Sequence, residues 1–121
     1  MDMHFDGVLF QTYAGELARR MKYAYPAAVV LDIRPAADFA LGHVPGARSI
    51  TVSRLLQGLP DGVAAGTEIF VLGEDSEDTM VRRASHALQA AGAARIVEFP
   101  GGMSEWRSAG LPVEKGAAEA A

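Results

Sequence analysis

Residues 68–88, EIFVLGEDSEDTMVRRASHAL, limit the possible folds more than any other stretch. Ile69 to Leu72 is an unbroken apolar run, too short for a buried helix, and reads as a strand covered on both faces. Gly73 to Thr79 follows as a polar loop. Met80, Ala84, Ala87, Leu88 and Ala91 then recur at helical spacing, leaving Arg82, Arg83, His86 and Gln89 for solvent. Strand, loop and helix N-terminus in this order make a natural anion cradle, because unpaired backbone N–H groups point into the loop. Here the loop itself carries Glu74, Asp75, Glu77 and Asp78.

The same alternation runs through the rest of the chain. Phe5 to Gln11 reads as a short strand, and Thr12 as the cap of a helix from Ala14 to about Tyr23, with Leu17, Ala18 and Met21 on one face. Tyr25-Pro26 ends that helix. Ala28 to Ile33 is a second doubly buried strand, and Pro35 opens a short helix through Ala40. Gly42 to Gly46 is a turn cluster, Ala47 to Val52 a short strand, and Ser53 the cap of a helix from Arg54 to Gln57. Gly58 to Thr67 is a surface loop. After Gly92 stops the long helix, Arg95 to Phe99 is a last strand and Met103 to Ala109 a last helix. Strands alternating with helices predict an α/β fold whose mostly parallel sheet is covered on both faces.

The length of 121 residues suits a single domain, 1–121, with an ordered core over about 5–115 and a frayed tail over 116–121. The net charge of −4 argues against nucleic acid and acidic membranes as partners, since both select basic patches. No apolar run reaches the ~20 residues that span a bilayer, and MDMHFDGVLF lacks a basic leader, so a cytoplasmic location is expected. The chain contains no cysteine, which removes disulfides, thiolate metal sites and thiol chemistry together.

From Leu31-Asp32-Ile33-Arg34-Pro35 onward the chain resembles a rhodanese-homology domain. The resemblance continues through Asp38-Phe39 and Gly42-His43-Val44-Pro45-Gly46-Ala47, resumes at Ile69 to Leu72, and closes with Gly101-Gly102, Trp106 and Ala109-Gly110-Leu111-Pro112-Val113. It implies a five-stranded parallel sheet with the active site in the loop after the fourth strand. In catalytic members that loop starts with the nucleophilic cysteine and carries an arginine for the anionic donor. On this chain the cysteine position is Gly73, the arginine position is Asp78 and a hydroxyl position is Thr79. Ser76 stands where the loop's internal glycine would be.

Gly73 has no side chain to carry sulfur, and Asp78 reverses the charge that would attract a donor. Like charges ~4 Å apart repel by about 1 kcal/mol in water and about 4 kcal/mol at an effective dielectric of 20. Sulfur transfer by the family mechanism is therefore expected to be lost, and no cofactor is implied. The degenerate loop Gly73, Glu74, Asp75, Ser76, Glu77, Asp78 and Thr79 is the candidate site, as a docking surface for a basic protein partner. Its bland counterpart is helix capping by Asp75 or Ser76, an Asp78–Arg82 pair and solvated charge.

Two alternatives stand beside it. Asp75, Glu77 and Asp78 can be read as oxygen ligands for a divalent cation, although their spacing matches no EF-hand. The chain can also be a structural subunit pairing with another copy or with an active paralogue. Ser76 with His43 or His86 as base lacks anything to orient it. Asp32, Arg34 and His43 read as structural, and Trp106 as packing on the sheet.

Overall fold

The computed structural model describes residues 9–22 and 28–117. The elements run β1 (Leu9–Gln11), α1 (Ala14–Lys22), β2 (Ala28–Asp32), α2 (Ala36–Leu41), β3 (Arg48–Ser49), α3 (Val52–Leu55), β4 (Glu68–Leu72), α4 (Met80–Ala90), β5 (Arg95–Phe99) and α5 (Gly102–Ser108). The strands form one five-stranded sheet in the order β1-β5-β4-β2-β3, and every pairing is parallel. The expected residues 5–8 of the first strand, and the Tyr25-Pro26 helix stop, lie outside the described residues.

Alternation along the central strands sorts their side chains into two cores. Leu31, Ile69, Val71 and Ile96 point to one face, where they meet Leu55 of α3 and Val81, Ala84, Ala87 and Leu88 of α4. Val30, Phe70, Leu72 and Phe99 point to the other, against Ala14 and Leu17 of α1 and Met103 and Trp106 of α5. Trp106 packs edge-on to Phe99, with ring centroids 6.5 Å apart, and donates its indole N–H to the Pro112 carbonyl at 2.7 Å. Each buried Leu, Ile or Phe contributes roughly 1.5–3 kcal/mol of burial. Strands β2 and β4 are covered on both sides, so their runs are nearly all apolar.

Three local expectations change. Helix α4 keeps most of the expected face, with Ala84, Ala87 and Leu88 buried and Arg82, Arg83 and His86 exposed, but its edges shift: Met80 is 37% exposed and Ala91 half-buried, while Val81 and Ser85 are buried. At this edge the helix meets Glu98 on β5, which shares the face of Ile96 and is buried. Ser85 Oγ donates to it at 2.6 Å, and Arg82, exposed as expected, also forks onto it through Nε at 2.8 Å and Nη2 at 3.0 Å. Strand β3 is shorter than expected because Thr51 leaves the sheet to cap α3, its hydroxyl accepting from Arg54 N–H at 3.1 Å in place of Ser53. Helix α1 takes its N-terminal partner from far away, with Ala14 N–H donating to Glu105 of α5 at 2.7 Å, rather than from Thr12.

Beyond α5 the chain crosses the sheet's β3 end. His43 and Glu114 exchange two main-chain hydrogen bonds, and Gly116 N–H donates to the Ala40 carbonyl. Residues 114–116 are thus fastened. No helix among the described residues is long and apolar enough to cross a membrane.

Candidate active-site loop

The loop between β4 and α4 lies at the carboxyl end of the sheet, where open α/β folds place their ligands. Its shape is held from the main chain. Met103 N–H donates to the Gly73 carbonyl at 3.1 Å and Ser104 N–H to the Glu74 carbonyl at 2.8 Å, so the first turn of α5 grips the start of the loop. This approach needs Gly102, which has a φ of +58°. A Cβ there would lie 2.9 Å from the Glu74 carbonyl group and closer still to the Gly73 oxygen.

Gly73 begins the loop, buried, at the position where the sequence pattern leads to a nucleophile. The space its missing side chain leaves is taken by Asp78. A Cβ at Gly73 would lie 2.7 Å from the Asp78 carboxyl carbon, nearer still to Oδ2, and 3.0 Å from Val81 Cγ2. That carboxylate accepts the Glu74 N–H through Oδ2 and the Met80 N–H through Oδ1, both at 3.0 Å. The residue capping α4 is therefore Asp78, not Asp75 or Ser76, and Thr79 makes no side-chain cap bond. The anion cradle exists, and a carboxylate of the chain itself fills it.

Glu74 is held in a second way. Its carboxylate lies between Arg34, at 3.3 Å from Nη1, and Arg107, at 3.2 Å. Arg34 is buried and also donates to both Asp32 oxygens and to the Gly42 carbonyl. Burial works against its charge, but its hydrogen bonds to the Asp32 and Glu74 carboxylates, with their negative charge, outweigh this and raise its pKa. Asp32 further accepts the Arg34 N–H at 3.0 Å. The pair is structural as expected, and it also reaches the loop.

The remaining loop side chains behave differently. Asp75 Oδ1 accepts the Glu77 N–H at 2.9 Å, a local turn bond. Neither Asp75 nor Glu77 faces a cation within ion-pair distance among the described residues. No group of three or more His, Asp or Glu side chains among the described residues converges to hold a metal. Asp75, Glu77 and Asp78, the alternative cation ligands, do not converge in this geometry, because Asp78 is turned inward onto backbone amides. His43 stacks on Phe39 at 3.7 Å, and its Nδ1 bonds the Phe39 carbonyl, so it does not orient Ser76.

The Arg82–Ser85–Glu98 cluster and the Arg34–Glu74–Arg107 chain were not foreseen as units. The first was legible in part: Ile96 and Glu98 are two apart on a strand and so share a face. The second depends on how α5 is placed beside the loop, which no local pattern encodes.

A family profile described as Rhodanese-like domain matches residues 14–109. The chain is 32% identical over 96 residues to the HTH-type transcriptional regulator Rv0324 of Mycobacterium tuberculosis, a match covering 73% of this chain and 38% of that protein. It is 28% identical over 90 residues to the uncharacterized protein slr1261 of Synechocystis sp., covering 74% of this chain and 48% of the other. It thus spans less than half the length of these relatives. Its fold matches the crystal structure of the Alr3790 protein from Anabaena sp. with a TM-score of 0.78 at 27% identity, over 87% of this chain and 92% of that one. It matches thiosulfate sulfurtransferase from Pseudomonas aeruginosa with a TM-score of 0.73 at 30% identity, over 88% of this chain and 19% of that one. With the sheet order, the loop after β4 and the profile all in agreement, this chain belongs to the rhodanese-like domain family, as a member with no cysteine.

Proposed function

We propose that this chain is a catalytically silent rhodanese-like domain that works as a binding or regulatory module. The observation that carries the reading is the Asp78 carboxylate standing beside Gly73, in the room a cysteine side chain would need. Sulfur transfer by the family route begins with a thiolate attacking a sulfane sulfur, and this chain has no thiol. The loop amides that would stabilise the charged sulfur already bond Asp78. Cysteine-dependent phosphatase chemistry fails for the same reasons.

A module of this kind acts through surface. Asp75 and Glu77 form the acidic tip of the loop and suit a basic partner segment, while Glu74 and Asp78 hold the loop together. A regulatory setting is supported by the relative that bears a transcriptional regulator's name. A cytoplasmic location goes with this proposal and is checked by cell fractionation.

The first test is thiocyanate formation from thiosulfate and cyanide, and sulfur transfer from a persulfide donor. Neither is expected above the buffer blank, and turnover in either assay overturns the silent reading. The second compares binding of a lysine-rich peptide by the wild type and by Asp75→Asn/Glu77→Gln. Weaker binding by the variant supports the tip as a recognition surface, and equal binding moves the interface elsewhere.

A further inference from the structure

The outer side of β3 carries no strand partner in the sheet order, and a groove of about 840 Å³ runs along it. Half-buried Ala47 and Ile50 supply accessible apolar surface, with buried Phe39 and Pro60 beneath. Its far wall is the segment around Glu114 to Gly116, fastened by the paired bonds with His43 and by the Gly116 bond to Ala40. Upstream of that wall, Trp106 anchors Pro112. The groove is therefore built into the fold. Its volume lies within the range of roughly 300–1,000 Å³ typical of ligand pockets.

The charges around it are not balanced. Asp61 lies 3.7 Å from Arg54, which also donates to the carbonyls of Gly58 and Leu59. Glu114 lies 3.7 Å from His43 Nε2 and accepts from Gly46 N–H at 3.3 Å. Both carboxylates of the groove are thus engaged. Arg48 and Lys115, which also line it, make no side-chain hydrogen bond or ion pair among the described residues. Both residues are exposed. On a chain of net charge −4, these two cations flank an open sheet edge with no partner among the described residues.

We propose that this groove docks an extended acidic peptide segment, which adds alongside the outer edge of β3. Main-chain groups of the edge strand would hold the peptide backbone, as in strand addition generally. Carboxylates of the segment would meet Arg48 and Lys115, and its apolar side chains would lie on Ala47 and Ile50. A basic segment is disfavoured by the same two cations. This surface is distinct from the loop after β4, so the inference does not depend on the fate of the sulfur-transfer assays.

The test uses a fluorescein-labelled peptide of alternating valine and glutamate, with a valine–lysine peptide as control. Fluorescence anisotropy at low and at physiological salt reads binding, and amide chemical shifts read its place. Saturable binding of the glutamate peptide is expected, weakened by salt because exposed charges are screened beyond ~10 Å at 0.1 M. Arg48→Glu/Lys115→Glu should weaken it at least tenfold and turn preference toward the lysine peptide. Shifts should cluster at residues 48–51 and 114–117. Both substitutions are at exposed side chains, and Arg48→Gln/Lys115→Gln gives a milder pair if the charge swap disturbs folding. Absence of saturable binding at millimolar peptide, equal binding by the double variants, or shifts centred on Gly73 to Thr79 would overturn the proposal. So would self-association of the wild type that is lost in the charge-swap variant and excludes the peptide, since the groove would then serve a second copy.

Discussion

The contact between Asp78 and the empty side-chain position of Gly73 makes a quantitative prediction about two substitutions. Gly73→Ala places a methyl group 2.7 Å from the Asp78 carboxyl carbon, well inside the 3.5–4.0 Å at which carbon atoms pack best. Overpacking of this sort costs about 1–3 kcal/mol. Gly73 is absent from the glycines of positive φ, so alanine meets no backbone penalty there. Asp78→Ala removes the carboxylate that accepts from Glu74 and Met80 N–H groups, at 3.0 Å each. Loss of a helix cap costs about 0.5–2 kcal/mol, and a second amide left without its partner about 1 kcal/mol more.

If the two sites were independent, the double variant would lose the sum, roughly 2.5–6 kcal/mol. The geometry predicts otherwise. Once Asp78 is truncated the methyl group has room, apart from Val81 Cγ2 at 3.0 Å, and replacing glycine also restrains the unfolded chain by about 0.4–1 kcal/mol. The double variant should therefore be no less stable than Asp78→Ala alone, with a coupling of about 1–3 kcal/mol between the sites. Urea unfolding of the four proteins measures this directly, provided the m-values agree. Additivity within about 0.5 kcal/mol would refute the contact, and with it the account of why the loop has no room for a cysteine.

Two further outcomes follow from buried charge. Burial opposes ionisation of Glu98, but hydrogen bonds from Arg82, Ser85 and Gln11 outweigh it and hold the carboxyl below its ordinary value of 4.5. A carboxyl depressed in the folded state stabilises the fold above the unfolded pKa and loses that contribution as pH falls through the folded one. Wild-type stability should therefore drop as pH falls below about 4.5, and Glu98→Gln should flatten that drop while lowering stability at pH 7; identical pH slopes in urea titrations would refute the assignment. Asp32→Ala strands the buried Arg34 guanidinium and should cost about 3–5 kcal/mol, whereas Glu74→Ala, at a carboxylate 46% exposed, should cost less than about 1 kcal/mol. Equal losses in thermal or urea unfolding would show that Arg34 is held by the loop rather than by Asp32.

What the sequence makes legible is whatever depends on local period. The doubly buried runs at Ala28 to Ile33 and Ile69 to Leu72 identify β2 and β4, and with the glycine and proline turns they fix the parallel architecture. The candidate loop is legible too, down to Gly73 at its first position. The shift at the edge of α4 is not, because apolarity alone favours burying Met80 over Ser85, whereas in the fold Ser85 and the exposed Arg82 both reach the buried Glu98. The inward turn of Asp78 is hidden for a related reason. Sequence counts four acids in one loop as one kind of residue, while the fold gives them separate tasks set by which amides and arginines lie within reach.

These tasks explain how the scaffold keeps its shape without the family's chemistry. The bonds that hold the loop start on α5 are from main chain to main chain, Met103 to Gly73 and Ser104 to Glu74, and need no particular side chain on the loop. A change from cysteine at the position of Gly73 therefore leaves the loop gripped. What such a change removes is the charged occupant of the cradle, and amides aimed into a vacated site are costly when they lack an acceptor. Asp78 supplies that acceptor from within, and Glu74 gives the second face of the loop a partner between Arg34 and Arg107. On the proposed reading, the acidic residues that would repel an anionic substrate are the same ones that fill its place. Putting the cysteine back by Gly73→Cys alone would set its side chain against Asp78, so sulfur transfer from thiosulfate is expected to return only when both positions change, and turnover by the single variant would refute this.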